Sequence, residues 1–302
     1  MLITSQFYKI FYYIFLLPSF IFCIEQYSLR WGELSLQNNS LNLQSKYIIS
    51  VINNQMQYLN SLFNNIKSSP FEIIILNNQN SQSFNNDIWE WSLGITKGNK
   101  IFIKDPSVSH ISKNKFEKVL RHEINHLFLN RLKNSSKIPR WFEEGFSMQY
   151  ANENSISKTL LLANHINDED LFNISKLDEK FYSNKRMFNF AYAYSNTLVA
   201  NIISLYSDIT IYQIILRVSN GELFSDAFYN STLISLEEFN KSVFNNIKIK
   251  YRWFKFIKFP NFLLILAPIL LWLGFMIKKR KNNQKIKEWE IEDELERLQD
   301  EL

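Results

Sequence analysis

Two uncharged hydrophobic segments near the ends of this chain constrain its fold most strongly, because they separate a middle part, residues 25–250, from two ends that suit a membrane. The first segment covers residues 10–24 and follows a single basic residue, Lys9. A short basic start before an apolar core is typical of a secretory signal peptide, and a buried first helix is the alternative. The pattern therefore predicts a signal peptide or N-terminal anchor in residues 1–24.

The second hydrophobic segment, residues 259–277, contains nineteen residues without a charge. At about 1.5 Å per residue, a helix of this length spans roughly 28 Å, which is enough to cross the hydrocarbon core of a bilayer. Six basic residues and no acidic residue follow within 278–287, as is typical of a cytoplasmic flank. We therefore expect one transmembrane helix, with the middle of the chain outside the cytoplasmic membrane and the tail, residues 278–302, inside. After position 287 the tail turns acidic, and a short amphipathic helix or a solvated charged segment fits it equally well.

Composition excludes several classes of protein. Hydrophobic residues make up 46% of the chain and charged residues 21%, which is too apolar for a disordered chain and too polar for a protein with many membrane spans. The single cysteine, Cys23, cannot form an internal disulfide. The net charge of +5 is concentrated beside the second hydrophobic segment and is accompanied by no nucleic-acid-binding motif, so we expect no nucleic-acid partner.

The middle of the chain changes from a strand pattern to a helix pattern at about residue 114. Alternating or short apolar runs predict strands over residues 25–36, 71–76 and 94–105, and amphipathic spacing predicts a helix over 41–66. The helices predicted after the change cover about residues 114–133, 141–152, 188–206, 209–219 and 235–249. Strands followed by helices indicate an α+β domain.

One of these helices contains the sequence HEINH at residues 122–126. His122 and His126 are four positions apart, so a helix places them on one face and their imidazoles can converge on one metal ion. Glu123 lies about 100° further around the helix, beside the metal, where it can take a proton from a metal-bound water. This is the HExxH signature of zinc hydrolases. A helix with two solvent-facing histidines is the alternative.

A catalytic zinc site needs three protein ligands and one open position. The segment PRWFEEGFSMQY, residues 139–150, places Glu143 and Glu144 in the first turn of a predicted helix, and Glu144 follows His126 by eighteen positions. Gly145 would let the backbone of this helix approach a neighbour closely. An acidic pair at a helix N-terminus is often only stabilising, but behind an HExxH helix we expect it to supply the third ligand.

HEINH followed by WFEEGF resembles the gluzincin metallopeptidases and, more narrowly, the often membrane-anchored peptidase MA-like proteins. In that pattern the Glu directly before Gly binds zinc, which implies Glu144 as the third ligand and Glu143 as its variable neighbour. The resemblance covers roughly residues 70–245 and implies a zincin-like fold, with a small N-terminal sheet followed by helices. Some gluzincins place an acid four residues after the ligand Glu to orient a histidine, whereas this chain has Met148 there.

The resemblance also implies a reaction, the hydrolysis of a peptide bond by a zinc-activated water with Glu123 as general base. Tyr192 matches the family's Tyr-Ala-x-Ser helix and would stabilise the oxyanion, with Tyr194 as the alternative. Because the chain has fourteen tyrosines, simple core packing stays open for both. The strand at 100–103 resembles the edge strand that pairs with extended peptides, so we expect a peptide or protein substrate, in the cell envelope.

Three functions therefore fit the sequence to different degrees. The first is a membrane-tethered zinc metallopeptidase. The second is a catalytically silent zincin-like domain that binds an envelope protein, which the complete HEINH motif and Glu144 disfavour. The third is a structural envelope protein with a fortuitous motif, which the pairing of two motifs disfavours. An intramembrane protease is disfavoured as well, because Arg121 and Arg131 lie on the HEINH helix, which therefore cannot be a membrane span.

Overall fold

A computed structural model of the chain describes residues 24–38, 43–63, 68–76, 92–133, 137–153, 156–252 and 259–300. The predicted signal peptide lies almost entirely outside the described residues, as does Cys23. The chain divides into two compact units. The first consists of Met1–Ser155 with Asp178–Leu236, and the second of Ile156–Leu177 with Glu237–Leu302. The first unit contains the sheet and the HEINH helix.

Within the described residues, five strands form one mixed sheet in the order β1-β2-β3-β5-β4. The strands are β1 (Ile24–Leu29), β2 (Gly32–Asn38), β3 (Phe71–Leu76), β4 (Gly94–Lys97) and β5 (Lys100–Lys104). The two inner pairs, β2–β3 and β3–β5, are parallel, and the two outer pairs are antiparallel. Parallel neighbours need a crossover, and helix α1 (Ser45–Phe63) lies between β2 and β3 in the chain.

Two of the predicted strands are in fact hairpins. The segment 25–36 contains parts of β1 and β2, and the segment 94–105 contains β4 and β5. Each reversal uses a glycine with a positive φ, 129° at Gly32 and 59° at Gly98, a conformation that residues with a side chain rarely adopt. Because β4 folds back along β5, the expectation that residues 100–103 form an edge strand is wrong. The edge of the sheet on that side is β4.

The remaining helices follow the sheet-forming part of the chain. They are α2 (Pro106–Ser109), α3 (Lys113–Leu132), α4 (Arg140–Tyr150), α5 (Ile156–Asn164), α6 (Leu177–Lys180), α7 (Lys185–Tyr206), α8 (Asp208–Ser219), α9 (Phe224–Thr232), α10 (Leu236–Tyr251) and α11 (Phe259–Asp300). The periodicity predicts α3, α4, α7, α8 and α10 to within three residues at each end, but it does not indicate α5 or α9. The predicted α+β class is confirmed, as a mostly helical chain with a small N-terminal sheet.

Helix α3 is the centre of the first unit. Its apolar side is fully buried, with Phe116, Leu120, Ile124, Leu127 and Phe128 all at 0% exposure. Helix α4 packs against both α3 and α7. The crossing with α7 is so close that a Cβ atom on Gly145 would lie 2.4 Å from the carbonyl oxygen of Ser195. Glycine is therefore needed at this position for α4 to lie where it does.

The second unit has its own packing contacts. The rings of Phe172 and Phe244 lie 4.6 Å apart, and the amide of Asn240 donates a hydrogen bond of 3.0 Å to the carbonyl oxygen of Phe172. Helix α11 continues without a break into the acidic tail, so the tail is helical as far as Asp300.

In the part of the chain that the structure describes, no single helix is both long and apolar enough to cross a bilayer. Helices α7 and α8 together are long and apolar enough to cross a bilayer, but a bend of 110° separates them. The expected span over residues 259–277 falls in the first half of α11 and stays a prediction.

Candidate metal centre

The structure brings His122, His126 and Glu144 into one cluster, with one ligand atom from each within 4.8 Å of the others. The Nε2 atoms of the two histidines are 3.1 Å apart. Oε2 of Glu144 lies 3.4 Å from Nε2 of His122 and 3.3 Å from Nε2 of His126. His122 and Glu144 are buried, at 6% and 5% exposure, and His126 is partly exposed. The cluster is therefore partly accessible to solvent on the side of His126.

Helix geometry and capping place these three side chains. The two histidines are one turn apart on α3, which begins where the Ser112 side chain accepts a hydrogen bond from the backbone of Lys115. Asp178 caps the start of α4, because its two carboxylate oxygens accept hydrogen bonds from the first backbone N–H groups, those of Arg140 at 2.9 Å and Trp141 at 2.8 Å. An acidic cap also stabilises the positive end of the helix dipole. Glu144 is thus held on a helix whose first turn is fixed.

A buried network of hydrogen bonds connects α3 with α1 and α4 next to the two histidines. Gln55 of α1 donates hydrogen bonds to the Asn125 side chain at 2.6 Å and to the backbone carbonyl of Tyr150 at 3.0 Å. Asn125, the fourth residue of HEINH, donates to the carbonyl of Ser147 at 2.8 Å. Gln55 and Asn125 are both fully buried. The network joins the helix that carries the histidines to the helix that carries Glu144. Sequence reasoning missed it, because Gln55 and Asn125 belong to no motif that joins them.

Neighbouring charges raise the pKa of His122 and lower the pKa of Glu144. Burial disfavours the charged form of His122, but Glu153, Glu144 and Glu123 outweigh this effect and raise the pKa of His122 to about 9. Burial also disfavours the charged form of Glu144, yet His126 and His122 hold the pKa of that carboxyl well below its usual range. In the metal-free protein the raised pKa of His122 therefore keeps its imidazole protonated at neutral pH. A divalent cation at the same place would displace that proton, because metal ligands bind in their deprotonated forms.

The donor set fits a divalent cation of the zinc type. Two imidazole nitrogens and one carboxylate oxygen leave one position of a tetrahedral site open, which is the arrangement of catalytic zinc centres. Oε2 of Glu144 is buried and makes no hydrogen bond with normal geometry. A buried carboxylate oxygen without a hydrogen bond is costly unless a cation binds it. The other oxygen of Glu144 lies 3.4 Å from Nε of Arg140, so the two carboxylate oxygens have different roles.

Glu123 is not one of the three members of the cluster, but its carboxylate is close enough to interact electrostatically with all of them. Its side chain is buried, and Thr96 of the edge strand β4 donates a hydrogen bond of 2.6 Å to Oε2. Gly94 packs so closely that a Cβ atom there would lie 2.9 Å from Oε1 of Glu123. Burial raises the pKa of Glu123, although His122 and His126 oppose the effect. The edge strand thus positions the predicted general base.

The two tyrosine candidates occupy different environments. The ring of Tyr192 stacks on that of His122 at a centroid distance of 6.4 Å, and its pKa is raised well above 10 by burial and by the nearby Glu144 carboxylate. Tyr194 is fully buried, and burial alone raises its pKa. Of the two, Tyr192 is the one beside the metal cluster. The two remaining histidines of the chain, His110 and His165, lie outside the cluster.

Glu143 and Glu144, which are neighbours in sequence, point to different partners. Glu143 forms an ion pair with Lys133 and is partly exposed. Met148, four positions after Glu144, is fully buried and apolar. Oε1 of Glu153 lies 3.6 Å from Nδ1 of His122, the ring nitrogen that faces away from the cluster. Sequence reasoning did not single out Glu153. No spacing rule marks Glu153, because it follows the end of α4.

Comparison with known proteins agrees with this geometry. No curated protein matches the chain significantly. The family model of the Peptidase MA superfamily matches residues 54–248, which include the HEINH helix, helix α4 and Tyr192. This match covers more than half of the 302 residues. A His-His-Glu cluster on the matched helices, with His122 and Glu144 buried, fits a metallopeptidase. The chain therefore belongs to the Peptidase MA superfamily.

Proposed function

We propose that this protein is a zinc-dependent metallopeptidase of the gluzincin type. The observation that carries the proposal is the convergence of His122, His126 and Glu144 within 4.8 Å of one another, with the Glu123 carboxylate beside them. The arrangement leaves room for a fourth ligand, as hydrolytic zinc sites require. Membership of the Peptidase MA superfamily supports peptide-bond hydrolysis as the reaction.

In the proposed hydrolysis, the three ligands hold the metal and Glu123 transfers the protons. When bound, zinc supplies a Lewis acid that activates water and polarises the substrate carbonyl. Glu123 accepts the proton of the attacking water and then delivers it to the leaving amine. Its hydrogen bond from Thr96 keeps the carboxylate turned to one side of the cluster. Both proton transfers need an acid-base group that can change charge, and a buried carboxylate with a raised pKa meets this need.

The substrate we propose is an extended peptide. Strand β4 is an edge strand, and its Thr96 contacts Glu123 directly. A peptide that adds to a sheet edge gains backbone hydrogen bonds without sequence preference. Pairing along β4 would bring a peptide bond next to the cluster. We therefore propose that the peptide pairs with β4 and not with residues 100–103, because β5 is already paired on both sides.

Hydrolysis of unstructured peptides by the purified full chain tests the proposal. We expect turnover to vanish after exhaustive chelation and to return when one equivalent of Zn²⁺ is added, because the residues that the structure describes contain one cluster of three ligands. Mass spectrometry of a peptide library would detect the products. Turnover that persists in protein shown by metal analysis to be metal-free would contradict the proposal.

Tyr192 is the residue we propose as the hydroxyl donor to the oxyanion, because its ring lies beside His122. Tyr192→Phe should lower kcat by about 10²–10³-fold and leave KM and zinc content nearly unchanged, since it removes one donor that acts in the transition state. Tyr194→Phe is the matched control, because Tyr194 is buried in the core. Equal effects of the two substitutions on kcat would remove Tyr192 from the reaction.

We further propose that the peptidase domain is extracytoplasmic and is tethered to the cell membrane by residues 259–277. The six basic residues within 278–287 support this orientation, because positive flanks stay in the cytoplasm. Envelope or exported proteins are then the natural substrates. Protease added to intact spheroplasts should digest residues 25–250 and spare an epitope fused after Leu302. Protection of the domain in that assay would reverse the orientation.

A further inference from the structure

The two ring nitrogens of His122 face different surroundings. Nε2 points into the cluster, 3.1 Å from Nε2 of His126 and 3.4 Å from Oε2 of Glu144. Nδ1 is buried on the other side of the ring and makes no hydrogen bond within normal distance. A histidine that binds a metal through one nitrogen almost always donates the other N–H to a carboxylate, a carbonyl or water, which fixes the tautomer and the ring orientation. Once Nε2 binds a metal, Nδ1 therefore needs an acceptor close by.

Helix α4 does not supply that acceptor from within its own turns. Met148, one turn after Glu144, is apolar and fully buried. The chain reverses just after the helix ends, where Asn152 adopts a left-handed conformation with φ of 54°. The backbone N–H of Glu153 then donates a hydrogen bond of 3.0 Å to the carbonyl of Met148. This turn brings the Glu153 carboxylate back toward α3, and the side chain is only 12% exposed.

We infer that Glu153 is a positioning residue for His122. Its Oε1 lies 3.6 Å from Nδ1, and a shift of about 0.5 Å brings the pair within hydrogen-bond range. Accepting the Nδ1–H bond keeps the proton on Nδ1 and the lone pair of Nε2 free for the metal. Glu153 thereby holds the ring in place and makes it a better ligand without touching the metal. The inference rests on the metal site of the proposed function and adds a residue to it.

Zinc affinity of the full chain, measured by competition with a chromophoric chelator, tests the inference independently of turnover. Glu153→Ala should weaken zinc binding by about 10–100-fold, the usual effect of losing such a partner. Glu153→Gln keeps an acceptor oxygen but no charge, so its affinity should fall between those of wild type and Glu153→Ala. The control is Glu143→Gln, which removes a carboxylate paired with Lys133 and should bind zinc like wild type.

A purely structural role for Glu153 would show in the metal-free protein. In the presence of EDTA we expect Glu153→Gln to stay folded and to unfold cooperatively, with a thermal midpoint well above the assay temperature, while its zinc affinity differs from that of wild type. Equal zinc affinities for wild type, Glu153→Gln and Glu153→Ala would overturn the inference even if peptide hydrolysis is intact. If wild-type protein binds zinc tightly but hydrolyses no peptide, the proposed peptidase function is contradicted, whereas the zinc affinities of the Glu153 variants still test the role of Glu153.

Discussion

Glu123→Gln should reduce peptide hydrolysis by at least about 100-fold while zinc content stays at the wild-type level. A positioned general base contributes about 10²–10⁴-fold to a rate, and glutamine cannot accept the proton of the attacking water. The substitution preserves side-chain size, which matters because Gly94 packs directly against Glu123. It also preserves an oxygen that can accept the hydrogen bond from Thr96. The measurement is turnover of a cleaved peptide, together with metal analysis of the same preparation.

The matched control is Glu143→Gln, the same chemical change twenty positions later in the chain. Glu143 pairs with Lys133 and is not part of the cluster, so its loss should leave turnover unchanged. Wild-type turnover by Glu123→Gln would refute the hydrolytic mechanism. If neither wild type nor variant cleaves any peptide but both hold zinc, a silent zincin-like domain that binds an envelope protein becomes the better description.

Glu144→Ala should abolish stoichiometric zinc binding, whereas Glu143→Ala should retain it. Glu144 supplies the third donor atom, 3.3–3.4 Å from both histidine nitrogens, and without it two imidazoles remain. The loss of affinity should exceed the roughly 10–100-fold loss typical of residues behind the ligands. The neighbouring position is the control because the Glu143 carboxylate pairs with Lys133 instead of lying in the cluster, and a partly exposed ion pair contributes little to stability.

Metal analysis of the purified variants after dialysis against buffer with trace zinc distinguishes the two positions. Glu144→Ala also leaves Nε of Arg140 without its nearby carboxylate, so the folded fraction of each variant must be checked by circular dichroism. Retention of zinc by Glu144→Ala and loss by Glu143→Ala would move the ligand by one residue. That result would also contradict the distances seen in the cluster.

The sequence alone predicted those features that depend on local geometry. Two histidines four positions apart share a face of any helix, so the sequence places His122 and His126 together without information on tertiary structure. Apolar periodicity predicted the bounds of α3 and α4 to within two residues, and Gly145 was expected to let the helix of Glu144 approach a neighbour closely. The α+β class followed from the order of the two patterns. In each case the physical cause lies within a few residues of the chain.

Two short turns explain the difference between the predicted and the observed strands. Gly32 and Gly98 each allow a tight reversal, and each turned one predicted strand into two. The second reversal moved the sheet edge from residues 100–103 to β4. This correction matters for function, because β4 carries the Thr96 that holds Glu123.

Only the tertiary structure decided which long-range partners meet. Tyr192 and Tyr194 are two positions apart on α7 and point in nearly opposite directions, so the way α7 packs on α4 at Gly145 selects the one beside His122. Glu153 reaches His122 across thirty-one positions through a left-handed turn at Asn152 that no periodic pattern marks. Helical repeats determine contacts within a helix, but contacts between helices depend on how the chain closes its loops and packs its core, and that information is spread over the whole sequence.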